Sequence, residues 1–284
     1  MTNAVEGLAS EPLRQIRDFI YDRSGLFFSD ANSYVLQSRL TERVKELGLG
    51  SLEEYLHRLR RGPERSCELS SLLDAVTTRE TCFFRDMPQL ESLQSRVLPD
   101  LIEPQCEAGP RQLRIWSAGC SSGEEAYTLS IMTQEALGDR IASWDVRILA
   151  TDLSESALAS AHQGFYDEHS LRHIPDEVRE CCFIRRDSYH VVRPKVRRPV
   201  EFGMLNLADA AQWESLPRMH VVFCRNVLVY FDRDLARRIV AGIHDLLLPG
   251  GYLYVGQSES LHGISREFTL VHFPGAIAYR KDCS

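Results

Sequence analysis

No stretch of this 284-residue sequence offers the roughly 20 consecutive apolar residues that a membrane-spanning helix needs. The opening "MTNAVEGLAS" has neither the charged nor the apolar region of a signal peptide, so a cytoplasmic protein without membrane insertion is expected. Internal repeats and low-complexity tracts are missing, as are CxxC pairs and any cysteine-to-histidine spacing suited to zinc. Eight cysteines are scattered, and the only adjacent two are Cys181 and Cys182. They read as core thiols and not as a disulfide framework or a metal site. The basic excess of a general nucleic-acid binder is lacking too: 33 Lys and Arg face 40 Asp and Glu, a net charge of -7. Basic clusters such as "RPKVRR" (Arg193 to Arg198) concentrate positive charge locally.

What is present changes character along the chain. From Pro12 the apolar residues recur at helical spacing: Leu13, Ile16, Phe19 and Ile20, then Leu36, Leu40, Val44 and Leu47, then Leu52, Tyr55, Leu56 and Leu59. Breaks at "RSG", "LGLGS" and "RRGPE" separate these segments, which predicts a helical domain over 1–90. "EPQCEAGPRQ", with Pro104, Gly109 and Pro110, reads as the heart of a linker over 91–111. Beyond it, β-rich runs at Leu113–Trp116, Val146–Ala150, Val200–Met204, Val221–Cys224 and Tyr252–Val255 alternate with helical stretches such as Glu124–Leu137, Ser154–His162 and Arg233–Leu247. That alternation predicts an α/β domain over 112–284 with a mainly parallel sheet. "SYHVVRPKVRRPVEF" suggests short antiparallel strands inserted at about 183–203.

"IWSAGCSSGEEAYTL" (Ile115 to Leu129) carries a strand into a turn on Gly119 and Gly123, then into a helix opening on Glu124 and Glu125. In an open parallel sheet the ligand lies beyond the carboxyl ends of the strands, and the first strand-to-helix turn is its usual place. A pyrophosphate would want bare amides and positive potential there. Paired acids and the absence of GxGxxG therefore disfavour a dinucleotide. The same acids suit an ammonium group, and "LATDLS" ends the second strand with Asp152, where an acid can accept both hydroxyls of a ribose. Ribose plus ammonium without phosphate describes S-adenosylmethionine. Plainer readings stand beside this one, since Glu favours any first helical turn and an Asp after a strand often caps the next helix. The order in which the features occur favours the ligand. "LLLPGGYLYV" adds weak support, with Pro249-Gly250-Gly251 read as a turn between a helix and a late strand.

Three more segments are "TTRETCFFRD" (Thr77 to Asp86), "FCRNVLVYFD" (Phe223 to Asp232) and "VGQSES" (Val255 to Ser260). With "SAGCSSGEEAY" and "ATDLS" in the same order, the chain resembles the CheR family of chemoreceptor glutamate O-methyltransferases over nearly its whole length. The resemblance implies an all-α N-terminal domain, then a class I methyltransferase domain, Rossmann-like with a seven-stranded sheet and a small antiparallel insertion. It implies S-adenosyl-L-methionine as cofactor and S-adenosylhomocysteine as product. The implied contacts are Thr81 and Arg85, Gly119 and Glu125 with Glu124 beside it, Asp152, Asn206 and Leu207, and Arg225 with Asn226. Arg85 and Tyr230 are the residues it puts nearest the transferred methyl group. The implied substrate is the cytoplasmic helical bundle of chemoreceptors, whose glutamates become methyl esters. Whether the insertion takes a C-terminal tail peptide of the receptor stays open, no nucleic acid is expected, and the chain is expected to act as a monomer. Arg79, Ala126 and Gln257 depart from the family's common Asn, Pro and His.

Read by themselves, Phe83 and Phe84 are packing residues, Cys224 ends a buried strand, and Tyr230 and Phe231 are aromatic core. Arg225 and Asn226 follow that strand at its ligand-facing end, where polar side chains usually have a binding reason. A carboxylate is already ionised near neutral pH, so methyl transfer to it needs alignment and exclusion of water and no general base. A S-adenosylmethionine-binding sensor or receptor-docking scaffold is the rival reading, and methylation of a small molecule is another. Arg39 and Arg43, one turn apart beside the stripe of Leu36, Leu40, Val44 and Leu47, are candidates for a basic docking face.

Overall fold

The apolar stripes near the start of the chain do form helices, and the computed structural model describes residues 10–61, 65–77, 80–213 and 216–283. Two units result: one holds the residues before 79 together with Tyr230–Asp232, and the other holds 79–229 and the residues from Arg233 on.

In the first unit α1 (Glu11–Ser24) begins after Ser10 with Pro12 in its first turn and ends at Gly25, whose φ of 76° suits glycine. It is followed by α2 (Ser33–Glu46), α3 (Leu52–Arg61) and α4 (Arg65–Val76). Leu13, Ile16, Ile20, Leu36, Leu40, Tyr55, Leu59 and Leu72 are buried among them. Both residues of the expected basic face are engaged within the helical unit. Arg39 donates to the carbonyls of Ala75 (2.8 Å) and Thr77 (2.9 Å). Arg43 grips the buried Glu68 through two nitrogens (3.0 and 2.9 Å), and Tyr55 donates to the same carboxylate (2.7 Å). Both arginines are internal ties of the helical unit, a role that the edge of an apolar stripe does not reveal.

The second unit opens with α5 (Met87–Ser92), which runs through a π-helical turn (Leu93–Val97) into α6 (Leu98–Ala108). The stretch expected as a linker is therefore helix for most of its length. Leu90, Leu93, Val97, Leu98 and Ile102 bury an apolar stripe in the core of the sheet unit, and that burial outweighs the single backbone bond lost at Pro104. Gly109, in an extended conformation, ends the helix.

Then come β1 (Gln112–Ala118), α7 (Glu124–Leu137), β2 (Asp145–Asp152), α8 (Glu155–Gln163), β3 (Phe165–Tyr166), α9 (Asp176–Cys182), β4 (Phe183–Arg186), β5 (Tyr189–Val192), α10 (Pro194–Arg197), β6 (Val200–Met204), β7 (Met219–Cys224), α11 (Arg233–Leu246), β8 (Leu247–Val255), β9 (Phe268–Phe273) and β10 (Ala276–Lys281). The seven-stranded sheet has the order β6-β2-β1-β7-β8-β10-β9. Pairings from β6 to β8 are parallel, and those of β10 with β8 and β9 are antiparallel. The fold is the expected class I methyltransferase sheet.

Three details differ from expectation. The insertion is a separate antiparallel sheet of order β3-β5-β4, so it begins at Phe165 and ends at Val192; residues 200–203 instead form most of β6 at the edge of the main sheet. Pro249-Gly250-Gly251 lies inside β8, where Gly250 has φ 78° and the register with β7 shifts between Met219 and Val221. A Cβ at Gly251 would stand 2.9 Å from the carbonyl of His220, so the glycines serve an irregular strand and not a turn. Finally, only four of the eight free cysteines are buried, while Cys67, Cys181 and Cys283 are exposed. The basic run staples the insertion to its surroundings, for Arg193 donates to the carbonyls of Phe183 and Glu180 and Arg197 to that of Gln163. No helix among the described residues is long and apolar enough to cross a membrane.

Candidate functional site

The strand order reverses between β1 and β7: from β1 the chain moves outward to β2 and β6, while β7 leads the other way to β8. Such a switch point opens a crevice at the carboxyl ends of the two strands. β1 and β7 are paired there in register Ser117 to Phe223, which brings the glycine turn beside Arg225 and Asn226.

The turn is tightly specified. Gly119, Ser121 and Gly123 have φ of 84°, 49° and 95°. The amides of Gly119 and Cys120 both donate to the carbonyl of Thr151 (2.8 and 2.9 Å). A Cβ at Gly119 would sit 2.4 Å from a methyl of Val227, so no other residue fits without moving the neighbouring loop. Asp152 faces this turn: its Oδ2 accepts from the Ser121 amide and its Oδ1 from the Ser154 amide, each at 2.8 Å. The cap of α8 is Ser154, whose hydroxyl accepts from the Ala157 amide at 3.1 Å. The plainer reading of Asp152 as a helix cap is thereby answered.

At the other side of the switch point stands a buried ion cluster. Arg225, its side chain 3% exposed, donates from Nε to Glu125 Oε2 (2.7 Å). Its Nη1 reaches the carbonyl of Arg85 (2.9 Å), Gln89 Oε1 (3.1 Å) and Asp86 Oδ2 (3.4 Å). Ser117 donates to the remaining oxygen of Glu125 (2.7 Å). One guanidinium thus meets two carboxylates, and the cluster keeps a net negative charge. Gln89 is fixed in turn by donating to the Val255 carbonyl (2.7 Å). Asn226, with φ 58°, gives its amide to Glu259 Oε2 (2.8 Å), which also accepts from Gly256 (2.7 Å), while Oε1 takes the Val229 amide (3.1 Å).

The two adjacent acids of the glycine turn part company. Glu124 is buried and accepts from Ser122 (2.8 Å) and Ser170 (3.4 Å), and burial raises its carboxyl above the usual glutamate range. Ser170, its second partner, accepts from the Phe83 amide in the segment that leads to Arg85. Tyr166 covers the same turn by donating to the Ser122 carbonyl (2.6 Å).

Thr81 and Arg85 line a cavity of about 260 Å3 with Glu80, Asp86, Arg172 and His173. Phe84 and Asp86, on either side of Arg85, hold left-handed φ of 54° and 63°. Arg85 donates to the Glu80 carbonyl (2.7 Å) and forms no ion pair among the described residues. Phe83 is fully buried in edge-on contact with Tyr166 and Phe183, the packing role expected of it. Asn206 and Leu207 follow β6; Asn206 Oδ1 accepts from the Ala208 amide (3.0 Å) and Leu207 is buried. Burial holds the Cys224 thiol well above its ordinary range, which keeps it inert. Tyr230 belongs to the segment grouped with the helical unit, where its carbonyl accepts from the Phe27 amide (2.7 Å). Every other site residue expected from the sequence lies in the sheet unit. Arg79 falls outside the described residues.

Gln89, Ser117, Glu259 and Arg172 were not anticipated. Glu259 stands inside the quoted "VGQSES", so that motif held the signal; Gln89 has none that spacing could reveal.

A family described as CheR methyltransferase, SAM binding domain, matches residues 79–277, and its all-alpha domain matches residues 11–77. The chain is similar to chemotaxis protein methyltransferase 1 of Pseudomonas aeruginosa, 37% identical over 278 residues that cover 96% of this chain and 98% of the relative. It is 34% identical to chemotaxis protein methyltransferase 2 of Vibrio cholerae over 94% of this chain and 91% of the relative. With the chemotaxis protein methyltransferase of Borreliella burgdorferi it shares 31% identity over 90% of each chain.

Proposed function

The chain belongs to the CheR methyltransferase family, and we propose that it methylates glutamate side chains of chemoreceptors, as a protein-glutamate O-methyltransferase in sensory adaptation. Its cofactor is S-adenosylmethionine, and the residues at the switch point fit that molecule. Asp152 is aimed at the glycine turn by two backbone amides, and its carboxylate is an acceptor suited to ribose hydroxyls. Ser121 Oγ, buried and without a partner among the described residues, is left to serve a ligand. The Arg225 cluster sets two carboxylates against one guanidinium and so retains negative charge for an ammonium group. When bound, the cofactor supplies an electrophilic methyl group on a sulfonium.

The acceptor side rests on one observation: Arg85, unpaired with any acid among the described residues, lines a side-chain-sized cavity fastened by Arg225 to the carboxyl end of the sheet. Arg85 holds the incoming glutamate by a charge-assisted hydrogen bond and strips water from its attacking oxygen. A carboxylate held too tightly would be a poor nucleophile, so the guanidinium aligns it without cancelling its charge. No general base is needed, because glutamate is ionised near neutral pH. Tyr230 enters the proposal through the family resemblance. The ester product is neutral, and on a receptor's helical bundle the lost charge relieves repulsion between neighbouring helices.

The test is incubation with methyl-labelled S-adenosylmethionine and membranes of the host, followed by a search for base-labile label on a receptor-sized band. Label is expected from the wild type and lost in Arg85→Ala, which should still fold. A protein that binds cofactor but transfers no label would be a sensor or scaffold, and the proposal would fall.

A further inference from the structure

We propose that Arg172 is a second substrate-binding residue of the acceptor cavity, and that with Arg85 it selects an acidic side chain presented by a protein. This rests on the glutamate-methylating reading above and adds to it the residue that sets acceptor affinity.

The two arginines come from segments far apart in sequence that are stitched together just before each of them. The Phe83 amide donates to the Ser170 carbonyl at 3.0 Å, two residues ahead of Arg85 on one side and of Arg172 on the other. The second segment is rigid: Asp167 accepts from the Ser170 amide (2.8 Å), Ser170 reaches Glu124, and Leu171 and Ile174 are buried on both sides of Arg172. Arg172 itself is exposed and stands at the cavity wall, where it donates to the His169 carbonyl (2.8 Å).

An ordinary surface arginine is expected to find an acid or to wave in solvent. Arg179, nearby in sequence, does find one, pairing with Glu168 at 2.9 Å. Arg172 and Arg85 form no ion pair among the described residues, although Glu80 and Asp86 line the same cavity. Asp86 is drawn to Arg225 instead (3.4 Å), and Glu80 is exposed. Two guanidiniums that line one cavity and pair with neither of its acids repel each other, and an incoming carboxylate between them offsets that repulsion. Burial raises the thiol of Cys82, in the same lining, above its ordinary range, and the positive charges of Arg172 and Arg85 oppose that rise. About 260 Å3 is small beside the roughly 300–1,000 Å3 of a pocket for a drug-sized ligand, and suits a single side chain.

The acceptor is host membranes carrying receptors, and the readout is initial rate of methyl transfer from labelled S-adenosylmethionine. Arg172→Ala should raise the apparent KM for acceptor by about tenfold, change kcat by less than about threefold, and leave cofactor affinity by calorimetry within about twofold. Arg172→Lys should recover most of the loss, because it restores the charge. An unchanged KM in Arg172→Ala overturns the proposal. So does an equal defect in the lysine and alanine variants, or lost cofactor affinity, since either marks a structural role. If the wild type itself labels nothing, both this inference and the proposed function fall; if the wild type labels receptors and Arg172→Ala does so equally well, only Arg172 is removed.

Discussion

Arg225→Met would strand Glu125. In the wild type that carboxylate is 12% exposed and has two partners, the Arg225 guanidinium at 2.7 Å and the Ser117 hydroxyl at 2.7 Å. The variant keeps only the hydroxyl, and it also releases Asp86, Gln89 and the Arg85 carbonyl from their common donor. Removing one member of a buried pair costs about 3–5 kcal/mol. Because Glu125 and Asp86 retain 12% and 18% exposure, water can relieve part of the penalty, and the lower end, about 3 kcal/mol, is expected. At about 2–4 °C per kcal/mol for a domain of roughly 150–250 residues, the transition of the sheet unit should fall by about 6–12 °C. Differential scanning calorimetry without cofactor is the assay, since it can resolve the two units and avoids stabilisation by ligand. Adding Glu125→Leu to Arg225→Met should recover most of the stability, because an apolar pair of similar volume replaces a buried ion pair at little cost. Cofactor affinity should not return with it. A single variant that melts within about 2 °C of the wild type, below the shift expected for 1 kcal/mol, would refute the reasoning; so would a double variant no more stable than the single one.

Asp152→Ala should raise the dissociation constant for S-adenosylmethionine by about tenfold or more, the loss of a charged hydrogen-bond acceptor to a hydroxyl; unchanged affinity in calorimetry would reduce Asp152 to a support of the turn. Glu124 offers a pH test. Burial raises its folded-state pKa, so the stability it contributes is complete below the ordinary glutamate value and is lost as pH rises through the raised one. Glu124→Gln should therefore melt higher than the wild type at pH 8 and lose that advantage at pH 4, and paired thermal scans with the same gap at both pH values would contradict the assignment.

The sheet unit was legible because its strands carry apolar β-rich runs and its helices carry stripes, and each announces itself within a few residues. The glycine turn was legible for a different reason: Gly119 and Gly123 occupy positive φ, and the residue type declares the constraint. Non-local pairings were not. Nothing near residue 89 says that Gln89 will face Arg225, and Arg43 looks like a solvated charge until Glu68 is brought beneath it from another helix. Pro104 misled by its strength as a local signal, since a proline breaks a helix only when tertiary burial does not compensate, and here Leu98 and Ile102 are buried on the same turn sequence. The C-terminal hairpin passed unread although Gly275 marks its turn with φ 70°. Among the site residues, the acids and arginines were visible as types, while the division of labour between Glu124 and Glu125 required knowing which neighbours each one meets.

The position of β10 between β8 and β9 bears on how the chain is made. Synthesis delivers β8 first, then the loop and β9, and only afterwards the strand that must sit between them. Until β10 leaves the ribosome, the edge of β8 has no antiparallel partner, and Tyr252 and Leu253, opposite Arg280 and Tyr279 in the finished sheet, lack their cover. An unpaired edge of that kind invites association with other chains. A nascent chain can therefore assemble the parallel half and its glycine turn early, but it closes the sheet only when β10 arrives. Ala278 then becomes fully buried, and Lys281 fastens the strand to the carbonyls of His244 and Leu247 (2.7 and 2.9 Å). A message broken before that codon would yield a product with an open edge, a form suited to recognition by chaperones and proteases.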